Sequence, residues 1–420
     1  MIALVDVNNF YAACERMFDP SLNGRPVIVL SNNDGCAIAR SEEAKRLGIH
    51  MGTPVFMVQE LAKEKDIAIF SSNYTLYGSM SARIMTILKS YAPAVEVYSI
   101  DEAFLDLKGL NYADLFELGK EIREKIFCHT GLAVSIGLAP TKALAKLANR
   151  YAKKYHPSTG VYLAQSKESM SGLLHKTAVG DIWGIGAQYQ KLLLQYHVQT
   201  AHDLVNLPEE WVRKNLTVMG QRLVFELKGI NAFKWEELPP PKQNICMSRS
   251  FGRLLNNIRE IKQAIASHTA ACARKLRSDK SCAKKIHVFI QTNPHKGEDK
   301  QFFTGVTIPL TVATSSSHEL VKYAIHALGM IYRPGYNYMK AGVMVLDIVA
   351  ETEIQLGLFD TRDRRKEMTI MKTLDETNKA FGDSMVRYGT HGYGDRWKLK
   401  ADRVSPRYTT RIADIMKVKS

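Results

Sequence analysis

A chain of 420 residues, 45% hydrophobic and 24% charged, has ordinary globular composition and room for about three domains. That excludes a fibre, a wholly disordered chain and a small disulfide scaffold. The 57 Lys and Arg outnumber the 42 Asp and Glu, giving a net charge of +15 and a pI near 9.4. Such a balance points to a polyanionic partner, a nucleic acid or an anionic surface. The excess is uneven: +2 over 1–242, +9 over 243–350 and +7 over 361–420. Binding is therefore expected mainly in the C-terminal half.

The elements follow in order. MIALVDV (1–7) reads as a buried strand ending near a carboxylate, 9–18 as a short helix and RPVIVL (25–30) as a second strand closed by the SNNDG turn. Helices are expected over 41–47 and 79–90. VEVYSIDEAFLDL (95–107) alternates on both sides of Ser99–Glu102 and predicts a β-hairpin with two acids near its tip. A helix at 112–128, a strand at 132–138 and a helix at 141–154 complete an α+β segment carrying an insertion at about 20–75. Residues 166–235 read as mostly helical, and the Pro-rich ELPPPKQN (237–244) as a linker. From 245 to 350 the order is strand, helix, strand, strand, helix, strand, the ferredoxin-like pattern. After 350 the chain turns polar, with QLGLFD (355–360) as an apolar island.

The six cysteines show no C-x-x-C spacing, which fits isolated thiols in a reducing, cytoplasmic setting better than a zinc site. The N-terminus lacks the basic and apolar regions of a signal peptide, and no apolar run approaches 18 residues, so no membrane association is expected.

Asp6 ends a buried strand, and Asp101 and Glu102 sit at a hairpin tip. Three carboxylates on adjacent strand ends would need a cation, and such hard oxygen ligands select Mg²⁺. Two ions could serve a phosphoryl transfer. The alternative is a solvated tip with Asp6 capping a turn.

DVNNFYAACE (6–15), YSIDEAFLDL (98–107) and APTKALAKLAN (139–149) resemble the Y-family DNA polymerases. SNNDGCAIAR (31–40), SSNYTLYGSMS (71–81), SRSFG (248–252), QLGLF (355–359) and SPRYTTR (405–411) narrow the similarity to the branch acting in bacterial SOS mutagenesis. The resemblance implies a right-handed polymerase with palm (1–20 and 76–165), fingers (21–75) and helical thumb (166–236). A linker (237–242), a little finger (243–350) and a C-terminal clamp- and partner-binding tail (351–420) would follow. It implies an error-prone translesion DNA polymerase subunit using two Mg²⁺ ions, primer-template DNA and dNTPs. Its partners would be a processed UmuD dimer, the RecA filament and the sliding clamp.

Carried over by position, the catalytic carboxylates would be Asp6, Asp101 and Glu102, and the same three with the Val7 carbonyl would be the metal ligands. Tyr11 matches the steric gate under the nucleotide sugar, with Phe10 beside it. Without that match, helix packing is the simpler reading of both rings. Lys45 and Lys153 match triphosphate contacts, with Lys154 as an alternative to Lys153. Two positions depart from the family: Asn8 replaces an acid that is not a primary ligand, and Glu42 stands where many members carry a tyrosine on the triphosphate. WGIG (183–186) resembles a helix-hairpin-helix turn, in which Gly184 and Gly186 would let backbone N–H groups approach a DNA phosphate; a plain helix cap is the alternative. In the basic little finger, Arg249 and Arg253 are the expected DNA contacts. Gln355, Leu356, Leu358 and Phe359 resemble a clamp-binding peptide, against the alternative of a short closing strand. Two rival functions are a nucleotidyl cyclase with a palm-like hairpin and a non-enzymatic DNA-binding repair scaffold.

Overall fold

A computed structural model describes residues 1–109, 114–236, 241–355, 360, 362–382, 385–392 and 400–416. The chain forms two compact units: Met1–Ser31 with Gly35–Pro239 and Arg403–Ser420, and Asn32–Asp34 with Pro240–Asp402. Residues expected to bind the clamp at 356, 358 and 359 lie outside the described residues.

The first unit is organised by strand β1 (Ile2–Val7), whose alternate faces feed two separate apolar cores. Helix α1 (Phe10–Phe18) follows, and then a small sheet of β2 (Val27–Leu30), β3 (Ala37–Arg40) and β4 (Ala68–Ser71) in order β3-β2-β4. Helices α2 (Glu42–Arg46) and α3 (Gln59–Glu64) lie within that segment. Strands β3 and β4 were not expected: unlike β2, whose four residues are all apolar, AIAR and AIFS each end on a polar residue and are only partly buried. Helix α4 (Tyr74–Leu88) starts five residues before its expected first residue. Its cap is Asn73, whose side chain accepts from the Leu76 N–H, and fully buried Leu76 and Tyr77 override the unfavourable Gly78.

Strands β5 (Ala94–Val97) and β6 (Glu102–Asp106) form the expected hairpin. Helix α5 (Leu115–Thr130), strand β7 (Val134–Ala139), helix α6 (Lys142–Tyr155) and strand β8 (Val161–Leu163) complete a sheet of order β5-β6-β1-β7-β8. β1 is thus central, antiparallel to both β6 and β7. Helix α6 lies directly against β7. A Cβ on Gly137 would sit 2.1 Å from the Asn149 backbone nitrogen and 2.2 Å from the Ala145 carbonyl oxygen. The Asn149 amide binds the Ser135 carbonyl at 2.6 Å, fixing the helix axially. Helices α7 (Lys167–Lys176), α8 (Ala187–Gln195), α9 (Ala201–Val205) and α10 (Glu209–Leu227) follow, the last kinked at Thr217.

The second unit has the expected order: β9 (Asn244–Leu255), α11 (Ile258–Ser278), β10 (Ser281–Thr292), β11 (Phe303–Thr314), α12 (Ser317–Ile331) and β12 (Tyr338–Ala350). Its antiparallel sheet runs β11-β10-β12-β9, with the first and third strands at the edges and both helices on one face. Inward Ile286, Val288 and Ile290 alternate with outward His287, Phe289 and Gln291. A further helix, α13 (Arg364–Phe381), was not expected, because its charged sequence lacks an apolar stripe of normal width. It is fastened instead by ion pairs. Arg277 grips Asp375 at 2.6 and 2.8 Å, and buried Glu319 takes both Arg362 and Arg364.

Candidate active site

The β1–β6 register puts Asp6 directly opposite Glu102. Asp101 is anchored beside them: its carbonyl accepts from the Val7 N–H at 2.9 Å, while its carboxylate accepts from the Ser99 hydroxyl at 2.5 Å. Burial first, and then Glu102, push the Asp6 carboxyl up to about 7 against the pull of Lys153.

Helix α6 answers these acids with two lysines spaced two turns apart. Lys153 pairs with Asp6, and Lys146 reaches Glu102 at 3.0 Å. Lys146 also lies 4.3 Å over the Tyr98 ring and 5.2 Å over Trp183, whose indole N–H donates to the Tyr98 hydroxyl at 3.0 Å. Lys154 instead lies over the Tyr155 ring, away from the acids. The gap between acids and helix is a cavity lined by Asp6, Glu102, Lys146, Arg150, Lys153 and Trp183, among others. Sequence reasoning missed Lys146 and Trp183; their signal was the i, i+7 lysine spacing on α6 and an aromatic beside the WGIG turn.

Among the described residues, no group of three or more His, Cys, Asp or Glu is arranged as a metal centre. Asp6 and Glu102 are together, whereas the Asp101 carboxylate turns to Ser99. The donor set still suits a hard divalent cation: closely opposed carboxylates, half-buried, held apart from mutual repulsion by ammonium groups.

At the start of α1, Asn9 takes a left-handed conformation (φ 51°). Lys45 donates to Asn9 Oδ1 and Glu42 Oε1, both at 2.7 Å, and Asn9 donates to Glu42 at 3.1 Å. Glu42 therefore holds Lys45 at the end of β1, a role its sequence position did not reveal. Against desolvation, these bonds keep Glu42 below the usual carboxylate range. Tyr11 stacks on Tyr77 at 4.3 Å and meets Tyr74 edge-on at 6.0 Å. Phe10 is buried in the core, so it backs Tyr11 from 5.7 Å rather than facing a ligand.

WGIG follows a short 3₁₀ turn (Val179–Asp181), not the α-helix expected there, and leads into α8. Gly184 has φ 89°, which requires glycine, and Gly186 is the extended N-cap of α8. Arg249 pairs across the ladder with buried Ala341 and interacts with His268, placing it on the helix-covered side. Arg253 is paired with Glu260. The open face of the sheet carries His287, Phe289 and Lys340, with Lys340 5.9 Å over the Phe289 ring. Gly305 and Gly342 make room for the two rings. Gln355 is exposed.

The first 5–150 residues match the model of the impB/mucB/samB family, and 242–358 match that family's C-terminal domain. Over 422 residues the chain is 42% identical to Protein UmuC of Salmonella typhimurium, covering all of both chains. The chain belongs to the impB/mucB/samB family. It is also 41% identical to Protein ImpB of Salmonella typhimurium, over 99% of each chain, and 25% identical to DNA polymerase IV 1 of Bacillus subtilis, over 92% of this chain and 91% of that one. Residues 368–418 match a domain of unknown function. A Y-family DNA polymerase chimera superposes with TM-score 0.67 at 20% identity, covering 83% of this chain and all of the other. The insertion ternary complex of Dbh DNA polymerase superposes at 0.54 and 21% identity, with the same coverage. The fold is that of the Y-family polymerases, and the chain is a UmuC-like DNA polymerase that depends on a divalent metal.

Proposed function

We propose that this chain is the error-prone translesion polymerase subunit of an SOS response, extending a primer across damaged template. The supporting observation is the opposition of Asp6 to Glu102 across the central strands, with Lys146 and Lys153 presented by one rigid helix. Two Mg²⁺ ions, when bound, would activate the primer hydroxyl and offset charge on the triphosphate. Asp6, Asp101, Glu102 and the Val7 carbonyl would hold them; for Asp101 this requires release of its carboxylate from Ser99. Lys153, freed from Asp6, and Lys45, oriented by Asn9 and Glu42, would bind triphosphate oxygens. Tyr11 would lie under the sugar and exclude a 2′-hydroxyl.

Residues 1–20 with 76–165, 21–75, 166–236 and 243–350 would be palm, fingers, thumb and little finger. Gly184 and Gly186 would approach the DNA backbone. The open sheet face with Lys340 and His287 is a better DNA surface than Arg249, which lies under the helices. Arg253 would bind phosphate only after leaving Glu260. The processed UmuD dimer, the RecA filament and, through Gln355 and the residues after it, the sliding clamp would be partners in the cytoplasm. Among the described residues no helix is long and apolar enough to cross a membrane.

The test is primer extension on an abasic template with Mg²⁺, dNTPs, processed UmuD and RecA–ATP. Extension is expected for the native chain and its loss for Asp101→Asn. Full activity of Asp101→Asn would remove the metal assignment. Cyclic product from free triphosphate, or DNA binding with no extension, would favour the cyclase or the scaffold.

A further inference from the structure

Between the WGIG turn and the kink of α10, within the first compact unit, lies a cavity of about 440 Å³ separate from the one at Asp6 and Glu102. Its volume falls in the range of small-ligand sites. Four rings, Tyr98, Trp183, Tyr189 and Phe233, supply flat apolar wall. The two ends differ in chemistry.

At the buried end stand Glu96 and Lys142, 8% and 3% exposed. The Lys142 ammonium donates to Glu96 Oε2 at 2.6 Å and to the Lys234 carbonyl at 2.7 Å, and the Glu236 N–H donates to the same Oε2 at 2.8 Å. Glu96 is therefore held in one orientation. Its other oxygen, Oε1, has no hydrogen-bond partner among the described residues and stays accessible. A carboxylate oxygen left open beside aromatic walls calls for a donor.

At the exposed rim stand Arg222, Lys234 and Glu236, two cations against one carboxylate. The rim is also strained. Thr217, with φ 65° and ψ −176°, kinks α10 where it walls the cavity and leaves Met219 exposed. A β-branched residue at positive φ is an outlier, and such conformations persist mainly where they shape a site.

We propose that this cavity is a guanine-nucleotide site, with the base against the rings, its donor edge on Glu96 and its phosphate on Arg222 and Lys234. The choice of base follows from hydrogen-bond chemistry. Guanine presents two adjacent donors on one edge, N1–H and the 2-amino group, and a carboxylate only accepts. Adenine and cytosine each set an acceptor ring nitrogen beside their amino group, and thymine flanks its one N–H with two carbonyls. A carboxylate repels each of those acceptors. The rings stack on any base, so selectivity falls to Glu96. The rim cations suit a phosphate. Trp183 walls both cavities and its ring lies over Lys146, so an occupant here would bear on the candidate active site. Two sources present this edge and phosphate: a free nucleotide and a guanine turned out of a DNA strand.

The test is equilibrium dialysis of the full chain against deoxyguanosine or deoxyadenosine monophosphate, in EDTA to suppress metal-dependent binding at Asp6 and Glu102. The guanine nucleotide should bind about tenfold tighter. Glu96→Gln should erase that preference. Arg222→Ala, at an exposed position, should weaken the guanine nucleotide about fivefold and leave the nucleoside deoxyguanosine unchanged, and it decides the matter if Glu96→Gln does not fold. A thymidine pentamer with a central guanine separates the sources. A gain over the all-thymidine pentamer that Glu96→Gln removes assigns DNA; no gain, beside a monophosphate that binds, assigns the free nucleotide. The absence of saturable binding by either guanine ligand overturns the proposal. So does equal binding of guanine and adenine, or guanine binding that folded Glu96→Gln and Arg222→Ala both leave unchanged.

Discussion

Two carboxylates facing each other across a sheet repel, and Asp6 and Glu102 persist because α6 supplies one ammonium to each. The same pairing makes the two lysines different from their neighbours. A charge-assisted hydrogen bond contributes about 1.5–3 kcal/mol, which is tenfold or more in affinity. Lys153→Ala is therefore expected to raise the KM for incoming nucleotide at least tenfold in steady-state extension. Lys154→Ala, whose ammonium lies over Tyr155, should stay within about twofold on the same logic of distance. Gly137→Ala tests the platform: with a Cβ 2.1 Å from backbone, α6 must lift, costing about 3 kcal/mol of stability, visible as a lowered Tm. The β5–β6 hairpin with Asp101 and Glu102 at its start was legible in the alternation of 95–107, whereas the pairing of Asp6 with Glu102 across β1 and β6 depends on a register that no local window contains. The task of Glu42 was not legible either, because Asn9 lies 33 residues away and nothing local predicts that α2 faces the end of β1.

Elements differ in how they are held, and this decides which were predictable. Strands β10, from Ile286, and β11 alternate more and less buried residues, and α11 carries a continuous buried stripe ending in Leu276. Their period alone identifies them. Helix α13 has no such stripe; distant charges, Arg277 and Glu319, stabilise it, and no local window contains them. Asp375→Ala should therefore raise amide hydrogen exchange across 364–381 at least tenfold, leaving β10 and β12 protected. Helix α11 also carries a pH liability. Burial, reinforced by Arg249, pushes His268 down to about 4 from its ordinary 6.5. It is neutral when folded, so its contribution is complete above pH 6.5 and is lost as pH falls from 6.5 toward 4. From pH 7.5 to pH 5 the second unit should lose about 2 kcal/mol in denaturant unfolding, and His268→Leu should flatten that slope.

At the scale of the molecule, the +15 net charge is divided between chemistry and grip. The first 242 residues are nearly neutral and hold the acids; the excess lies in 243–350 and in the tail. Chelation of divalent metal should abolish extension while leaving DNA binding. That binding should weaken steeply between 50 and 200 mM salt, as counterion release requires. Lys340→Ala should lower the magnitude of the salt slope by about one, measured by fluorescence anisotropy on a primer-template duplex. The division was legible from composition. What composition did not reveal is that the tail serves both units: 364–381 is pinned to Arg277 and Glu319, whereas 403–408 lies inside the first.

That return has a consequence for biosynthesis. Asn73 and Ser405 are separated by 332 residues, so the cap of α4 waits for its partner while the rest is translated. At roughly 5–20 residues per second, that wait is on the order of 15–70 s. A ribosome stalled before residue 403 would leave a chain whose second unit is complete in sequence, while Asn73 and Ser71 of the first unit still lack their partners Ser405 and Arg403.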